Sequence, residues 1–146
     1  MKVALKLILS GVVAFALAGC AHAQGTPEQQ ALAAGAVPLS GAQITESIIG
    51  HTISGTMIAG GSFIEYYDPT GTIVGHWNKG GEQGPYDGTW TIDGDQLCAT
   101  YPKAPEASGC YNIALNGAVV FWRTAEGITL NVNRPAIVKA GKAGLD

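Results

Sequence analysis

The sequence predicts a mostly β fold, an eight-stranded antiparallel meander that closes into a small up-and-down barrel and follows one short helix. Three observations predict it. After residue 50 the chain consists of short β-rich runs separated by turn sequences. The connections between these runs are too short for crossover helices. Glycines also recur inside the runs, where they suit a strongly curved sheet. A two-sheet β-sandwich is the alternative.

Residues 1–19 have the features of a lipoprotein signal peptide. Lys2 and Lys6 precede an apolar run that is too short to cross a bilayer as a helix. Leu17-Ala18-Gly19-Cys20 resembles the lipobox of bacterial lipoproteins, in which the cysteine becomes the lipidated first residue. Ala21-His22-Ala23 instead permits ordinary secretory cleavage after residue 23.

The charge of the processed chain limits its partners. Either cleavage leaves six basic residues against eleven acidic ones, a formal charge of −5. A nucleic-acid partner is not expected, because it requires a basic stripe. Membrane contact is expected only through a lipid anchor on Cys20. We therefore predict an outer-membrane lipoprotein facing the periplasm, or a soluble periplasmic protein if cleavage follows Ala23.

The three cysteines are Cys20, Cys98 and Cys110. If Cys20 is lipidated or removed, two remain in an oxidising compartment, and they are expected to form a disulfide. Alternation within the strands places Cys98 on the solvent side. The alternative is a pair of free thiols.

The remaining chain divides into a tether, a domain and a tail. Residues 20–38 are rich in Gln, Ala, Gly and Pro and predict a flexible tether. Residues 39–134 are expected to form the β-domain and residues 135–146 a C-terminal tail. The domain begins with a short helix, for which Ser40 is the N-cap and Gln43 completes a capping box.

Eight strands follow the helix. They are predicted at residues 51–59, 62–67, 72–78, 86–92, 95–101, 110–115, 118–124 and 128–133. Asp93-Gly94 and Asn116-Gly117 are type I′ hairpin signals, and residues 79–85 and 102–109 are expected to be loops. An eight-stranded, lipocalin-like barrel of this size is filled by its own side chains or holds one small ligand.

The sequence offers little for catalysis. No catalytic residue, metal site or cofactor is predicted, because no nucleophile, phosphate-binding or dinucleotide motif is present. A metal site formed by His76 with Glu65 or Asp68 is geometrically conceivable, but surface histidines are the simpler interpretation. Alternation can place Glu65 on the polar face of its strand.

Aromatic residues recur once or twice per strand. Three interpretations are open: the aromatic residues line a ligand site at the mouth of the barrel, they form a partner-binding face, or they form the barrel core together with a few half-exposed rings. The candidate ligand-binding residues are Tyr66, Trp77 and Trp122.

Five segments together resemble a group of small secreted proteins of unknown function from Gram-negative bacteria. They are Leu39–Ile44, Ile49–Gly55, Glu65–Gly71, Tyr86–Trp90 and Gly94–Cys98. This resemblance implies the compartment and a β fold, and it implies no activity. Residues 120–127 resemble the Phe-Trp-x-Lys-Gly segment of periplasmic lysozyme inhibitors, although the lysine is absent.

From these observations we expect a non-enzymatic envelope domain that binds an envelope protein or a small apolar ligand, or that has a structural role. The alternatives are an inhibitor of a protease or lysozyme, which would present residues 79–85 or 102–109, and a carrier of a small apolar ligand.

Overall fold

The computed structural model describes residues 34–57, 60–123 and 136–145. The predicted signal peptide, the lipidation site at Cys20 and most of the tether lie outside these residues, as does the predicted strand at 128–133.

The described chain contains nine strands and two short helical segments. In chain order they are β1 (Val37–Pro38), α1 (Gly41–Ser47), β2 (His51–Thr56), β3 (Ser62–Tyr67), β4 (Thr72–Lys79), β5 (Glu82–Asp93), β6 (Gln96–Thr100), a 3₁₀ helix (Pro105–Ala107), β7 (Gly109–Asn116), β8 (Val119–Arg123) and β9 (Ala136–Ala140).

Strands β2 to β9 form a closed antiparallel barrel. Each strand pairs with the next along the chain, and β9 pairs with both β8 and β2. The two-residue β1 pairs with β7 beyond the end of β6. The predicted eight-stranded antiparallel barrel with one short helix is confirmed, and the sandwich alternative is excluded.

Two segments outside the predicted domain belong to the sheet. β9 lies in the stretch that the sequence assigns to a C-terminal tail, and β1 lies at the end of the predicted tether. Ala136 of β9 is fully buried. A five-residue segment becomes a strand here because two neighbouring strands supply hydrogen-bond partners, which local sequence patterns do not reveal. The domain therefore extends beyond residue 134.

The prediction of a loop at residues 79–85 is wrong. β4 and β5 continue through it and meet at a two-residue turn, Gly80-Gly81, where the φ angles are 64° and 88°. Within residues 79–85, left-handed backbone occurs at these two glycines, and glycine adopts it without strain. Gly84 and Pro85, which suggested a loop, lie within β5.

Two other hairpin turns are shifted by one residue from their predicted centres. The register places Gly94-Asp95 and Gly117-Ala118 at the turns. In each, only the glycine has a positive φ, 57° at Gly94 and 59° at Gly117. A positive φ at the first turn position alone fits type II′ rather than the predicted type I′.

Helix α1 closes one end of the barrel. Its predicted capping box is confirmed, since Ser40 Oγ accepts from the Gln43 amide and Gln43 Oε1 accepts from the Ser40 amide. The Gly41 amide donates to Asp95 Oδ1 at 2.8 Å, which fixes the helix to the β5–β6 turn. Ile44 and Ile48 are fully buried and join the core of the barrel.

The Cys98–Cys110 disulfide is confirmed. The two residues are register partners on β6 and β7, with a Cα–Cα distance of 3.9 Å. Cys110 is exposed and Cys98 is half-buried, so the bridge lies on the outer face. It indicates an oxidising compartment. Among the described residues, no helix is long and apolar enough to cross a membrane.

Candidate functional site

Glu65 is a buried acidic residue in the barrel interior. It shares the inward face of β3 with Phe63 and Tyr67, since alternate residues of a strand face the same side. Its side chain is 5% exposed. The expectation that Glu65 lies on the polar face is therefore wrong. In this short strand the outward positions are Ser62, Ile64 and Tyr66, so polarity does not distinguish the two faces.

Three tyrosine hydroxyls donate hydrogen bonds to the Glu65 carboxylate. Tyr67 donates to Oε1 at 3.0 Å. Tyr86 donates to Oε2 at 3.0 Å and Tyr101 donates to the same oxygen at 2.9 Å. Glu65 and these three tyrosines are here named the Glu65 cluster. The three hydrogen bonds satisfy the carboxylate, and hydrogen bonds to a charged acceptor are stronger than those between neutral groups.

Two glycines allow the tyrosine rings to reach Glu65. Glu65, Gly75 and Tyr86 are consecutive register partners across β3, β4 and β5. A Cβ at Gly75 would collide with the Tyr86 ring. On β5, a Cβ at Gly88 would lie 2.9 Å from Cδ1 of Tyr101. The rings therefore occupy the space that side chains would fill at these positions.

Burial and hydrogen bonding oppose each other at Glu65. Desolvation raises the pKa of the Glu65 carboxyl above its usual value, and the three tyrosine hydrogen bonds lower it by a smaller amount. Burial, followed by the charge on Glu65, raises the pKa of Tyr67, Tyr86 and Tyr101 far above the usual range. The tyrosines therefore stay neutral donors, and Glu65 is the titrating group of the cluster.

Two clefts lie on the outer face of the barrel and meet at His76. One, of about 530 Å³, is lined by Ser54, Gly55, Ser62, Phe63, Ile64, His76, Trp77, Asn78, Gln83 and Ile137. The other, of about 300 Å³, is lined by Val74, Gly75, His76, Pro85, Tyr86, Asp87, Lys103, Lys142 and Leu145. Most strand positions in the two linings face outward, among them Ile64, His76 and Ile137, so the clefts lie mainly on the outer face. Gly55, Phe63, Gly75, Trp77 and Tyr86 face inward by register, so the clefts also reach side chains of the interior. We name the two together the outer groove.

The two ends of the outer groove differ in character. Ile64 and Ile137 lie at one end, where Ile137 is 39% exposed. Lys103 and Lys142 lie at the other end, and Lys103 forms an exposed ion pair with Asp87 at 3.7 Å. The groove therefore joins an apolar, hydroxyl- and amide-lined region to a charged region that contains two lysines and Asp87.

The three predicted ligand-binding residues lie apart. Tyr66 is half-buried on the outward side of β3, next to the Glu65 position. Trp77 is half-buried on β4 and contributes to the larger cleft. Trp122, on β8, is 7% exposed and belongs to the core. The structure does not bring these three side chains together, and their role in binding stays a prediction.

The two histidines that the structure describes, His51 and His76, occupy separate surroundings. His51 Nδ1 lies 3.0 Å from the Ile49 carbonyl oxygen. His76 is exposed on the outer face of the barrel, whereas Glu65 faces the interior. Among the described residues, no group of three or more His, Cys, Asp or Glu side chains could hold a metal ion.

Sequence reasoning did not identify the Glu65 cluster. A signal for it exists, because Glu65 and Tyr67 share a face of one strand, and Tyr86 shares a face with Gly88 on another. The sequence pattern does not give the register between strands, and it is this register that places Gly75 between Glu65 and Tyr86.

Comparisons with known proteins give no identity. No protein-family model matches the chain, and no curated protein or solved structure is significantly similar to it. The resemblance to small secreted proteins of Gram-negative bacteria stays a prediction, and function must be argued from the geometry of the molecule.

Proposed function

We propose that the protein is a non-enzymatic binding domain of the bacterial envelope, which binds a partner protein in the outer groove. In this proposal the processed chain is held at the outer membrane by a lipid on Cys20 and is spaced from it by the tether. The observation that supports the proposal best is the location of the two clefts, which are lined mainly by outward-facing residues. At the level of Glu65, the interior is occupied by the protein's own side chains.

The partner segment is inferred from the chemistry of the groove. The barrel is closed, so β2 to β5 offer no free edge to an added strand, and recognition must use side chains. Ile64 and Ile137 would contact apolar side chains, whereas Lys103 and Lys142 would attract a carboxylate. These features fit an extended polypeptide segment with an acidic residue near apolar ones.

Site-specific photo-crosslinking tests this function. A photoreactive residue is placed at His76 or Ile137 in the groove, and at Thr91 as the control. Thr91 is exposed and pairs with Cys98, away from the groove. We expect both groove positions, in cells that produce the protein, to crosslink to the same envelope protein, and Thr91 not to do so.

A charge-reversal variant supplies the second half of this test. Replacing both Lys103 and Lys142 with Glu should reduce the groove crosslink several-fold. Equal crosslinking from Thr91, or a crosslink that is insensitive to the charge reversal, would argue against the outer groove as the binding site.

An inhibitor of a protease or lysozyme is a second candidate, favoured by the rigid loop between β6 and β7. The Tyr101 amide donates to Ser108 Oγ at 2.8 Å, and the Tyr111 hydroxyl donates to the Ala107 carbonyl at 2.9 Å. Pro102 to Ala107 are mostly exposed between these braces. Titration against serine protease, metalloprotease and lysozyme activities tests this candidate, and a lack of inhibition at large molar excess would exclude it for those enzymes.

The apolar-carrier alternative receives less support. The Glu65 cluster occupies the middle of the interior with polar groups, and α1 closes one end with Ile44 and Ile48. A fluorescent apolar probe such as 1-anilinonaphthalene-8-sulfonate should therefore show no saturable one-to-one binding to the folded protein. Such binding would favour the carrier instead.

A further inference from the structure

The Glu65 cluster has a hydrogen-bond pattern that fits only one protonation state of the carboxyl group. An ionised carboxylate only accepts hydrogen bonds, and all three phenols donate to it. A protonated carboxyl group carries a donor of its own. Uptake of a proton by Glu65 therefore requires at least one tyrosine hydroxyl to change from donor to acceptor, or a buried donor to lose its partner.

Tyr86 is the tyrosine best placed to make this change. Tyr67 is completely buried, so a hydroxyl turned away from Glu65 there has no water to which it can donate. The Tyr67 and Tyr101 hydroxyls lie 3.5 Å apart, at the limit of hydrogen-bond distance, so a hydroxyl that turned from Glu65 toward the other would gain only a weak hydrogen bond. Tyr86 is the least buried of the three and lines the smaller cleft, so water in that cleft is the acceptor that its hydroxyl would need once it accepts the Glu65 proton.

A change at Tyr86 would reach the surface of the barrel. The Tyr86 ring lies against the backbone of Gly75, and both residues contribute to the smaller cleft of the outer groove. There is no side chain at Gly75 to absorb a movement of the ring. A displacement of the Tyr86 ring toward β4 would therefore press on the β4 backbone itself.

We propose that the Glu65 cluster is a proton-dependent switch, in which protonation of Glu65 reverses its hydrogen bond with Tyr86 and shifts the pairing of β4 with β5 at Gly75. The groups that face Glu65 from the surrounding strands are Tyr67 on β3, Tyr86 on β5 and Tyr101 after β6. β4 presents Gly75 and β2 presents Ile53. The titration of Glu65 is thus set by three neutral phenols and by burial. The switch does not depend on what binds in the outer groove.

NMR titration of the secreted, processed protein tests the switch. The Glu65 carboxyl carbon, the Tyr86 ring and the Gly75 amide are followed between pH 4 and pH 8. We expect Glu65 to titrate with a midpoint above its usual value of 4.5. The Tyr86 and Gly75 resonances should change with the same midpoint. A Glu65 midpoint at or below 4.5, or a Glu65 titration without a matching change at Tyr86 and Gly75, would overturn the proposal.

Two phenylalanine variants make the test specific. Tyr86→Phe removes one donor to the carboxylate, so the Glu65 midpoint should rise by about one pH unit, and the response of Gly75 should be largely lost. Tyr111→Phe is the matched control, because its hydroxyl bonds to the Ala107 carbonyl outside the cluster. It should leave the Glu65 midpoint unchanged. Equal effects of the two variants would show that Tyr86 has no special role and would contradict the proposal.

Discussion

The ring of Tyr86 lies across Gly75 and reaches the Glu65 carboxylate on the strand beyond. Gly75 is the register partner of both residues, and its missing side chain leaves the space that the ring fills. The Tyr86 hydroxyl then donates to Glu65 Oε2 at 3.0 Å. The glycine and the tyrosine therefore form one structural unit across three strands.

This relationship predicts that Gly75→Ala destabilises the protein. The new methyl group would overlap the Tyr86 ring and also approach the Ile64 carbonyl oxygen, which lies 2.7 Å from the Cβ position. Overpacking of this kind costs about 1–3 kcal/mol, to which loss of the Tyr86 hydrogen bond would add. Urea unfolding of the variant measures the change in the free energy of unfolding.

Gly84→Ala is the matched control for this variant. A Cβ at Gly84 would lie 3.2 Å from Nε1 of Trp77, a contact that small ring movements can relieve. We expect a clearly smaller loss than for Gly75→Ala. Equal losses from the two substitutions would contradict the assigned role of Gly75.

A second prediction concerns the donors to the buried carboxylate. Tyr67→Phe deletes the hydroxyl that bonds to Glu65 Oε1 at a fully buried position. Leaving a buried charged acceptor with one partner fewer should cost about 1–3 kcal/mol at neutral pH. Tyr111→Phe removes a hydroxyl from an exposed hydrogen bond and should cost about 0.5 kcal/mol. Thermal or urea unfolding distinguishes these outcomes, and equal losses would count against a buried, charged carboxylate at Glu65.

Stability should depend on pH through Glu65. The pKa of Glu65 is raised in the folded state, mainly by desolvation, so its contribution to stability is complete below the usual value of 4.5, which applies to the unfolded chain. That contribution is lost as the pH rises through the folded pKa. Each unit by which the pKa is raised corresponds to about 1.4 kcal/mol.

Glu65→Gln isolates this effect, because glutamine has a similar shape and no charge. We expect the free energy of unfolding of the wild-type protein, relative to Glu65→Gln, to fall between pH 4 and pH 8. Urea unfolding of both proteins at the two pH values provides the measurement. A relative stability that rises with pH would mean that the tyrosine hydrogen bonds outweigh burial.

The disulfide provides a fourth prediction. Cys98 and Cys110 are separated by 12 residues, and a crosslink that closes a loop of this length stabilises by about 3 kcal/mol. The Cys98→Ser/Cys110→Ser double variant should lose about this amount. Addition of reductant should lower the melting temperature of the wild-type protein to that of the double variant and leave the variant unchanged. A reductant effect on the variant would show that the loss has another cause.

The fifth prediction concerns the predicted lipid anchor. Cys20→Ser removes the residue that would be lipidated and should move the protein from the membrane fraction to the soluble fraction of the cell envelope. Immunoblots of the two fractions measure this, with Cys98→Ser as a control that keeps Cys20. If the wild-type and Cys20→Ser proteins fractionate identically, cleavage after Ala23 becomes the better interpretation.

Much of the scaffold is already predictable from the sequence. Ser40 and Gln43 form the predicted capping box, and the Cys98–Cys110 bridge lies on the predicted side of its strands. The Gly94 and Gly117 turns are found within one residue of their signals. These features depend on neighbours in the chain or on a small number of candidates, so local chemistry is sufficient to predict them.

The errors have a common origin. The segment at 136–140 lacks strong strand patterning and becomes a strand because β2 and β8 bind it on both sides. Gly84 and Pro85 suggest a loop, but they lie in β5, where Gly84 pairs with Trp77. In each case the deciding interaction comes from another strand.

The sequence by itself determined the class of fold, the short capped helix and the pairing of the two domain cysteines. Only the tertiary structure decided that Glu65 faces inward and that three tyrosines meet it. Alternation along a strand separates two faces and does not say which face becomes the interior. That choice is made when the barrel closes, because closure fixes the register that places Gly75 between Glu65 and Tyr86.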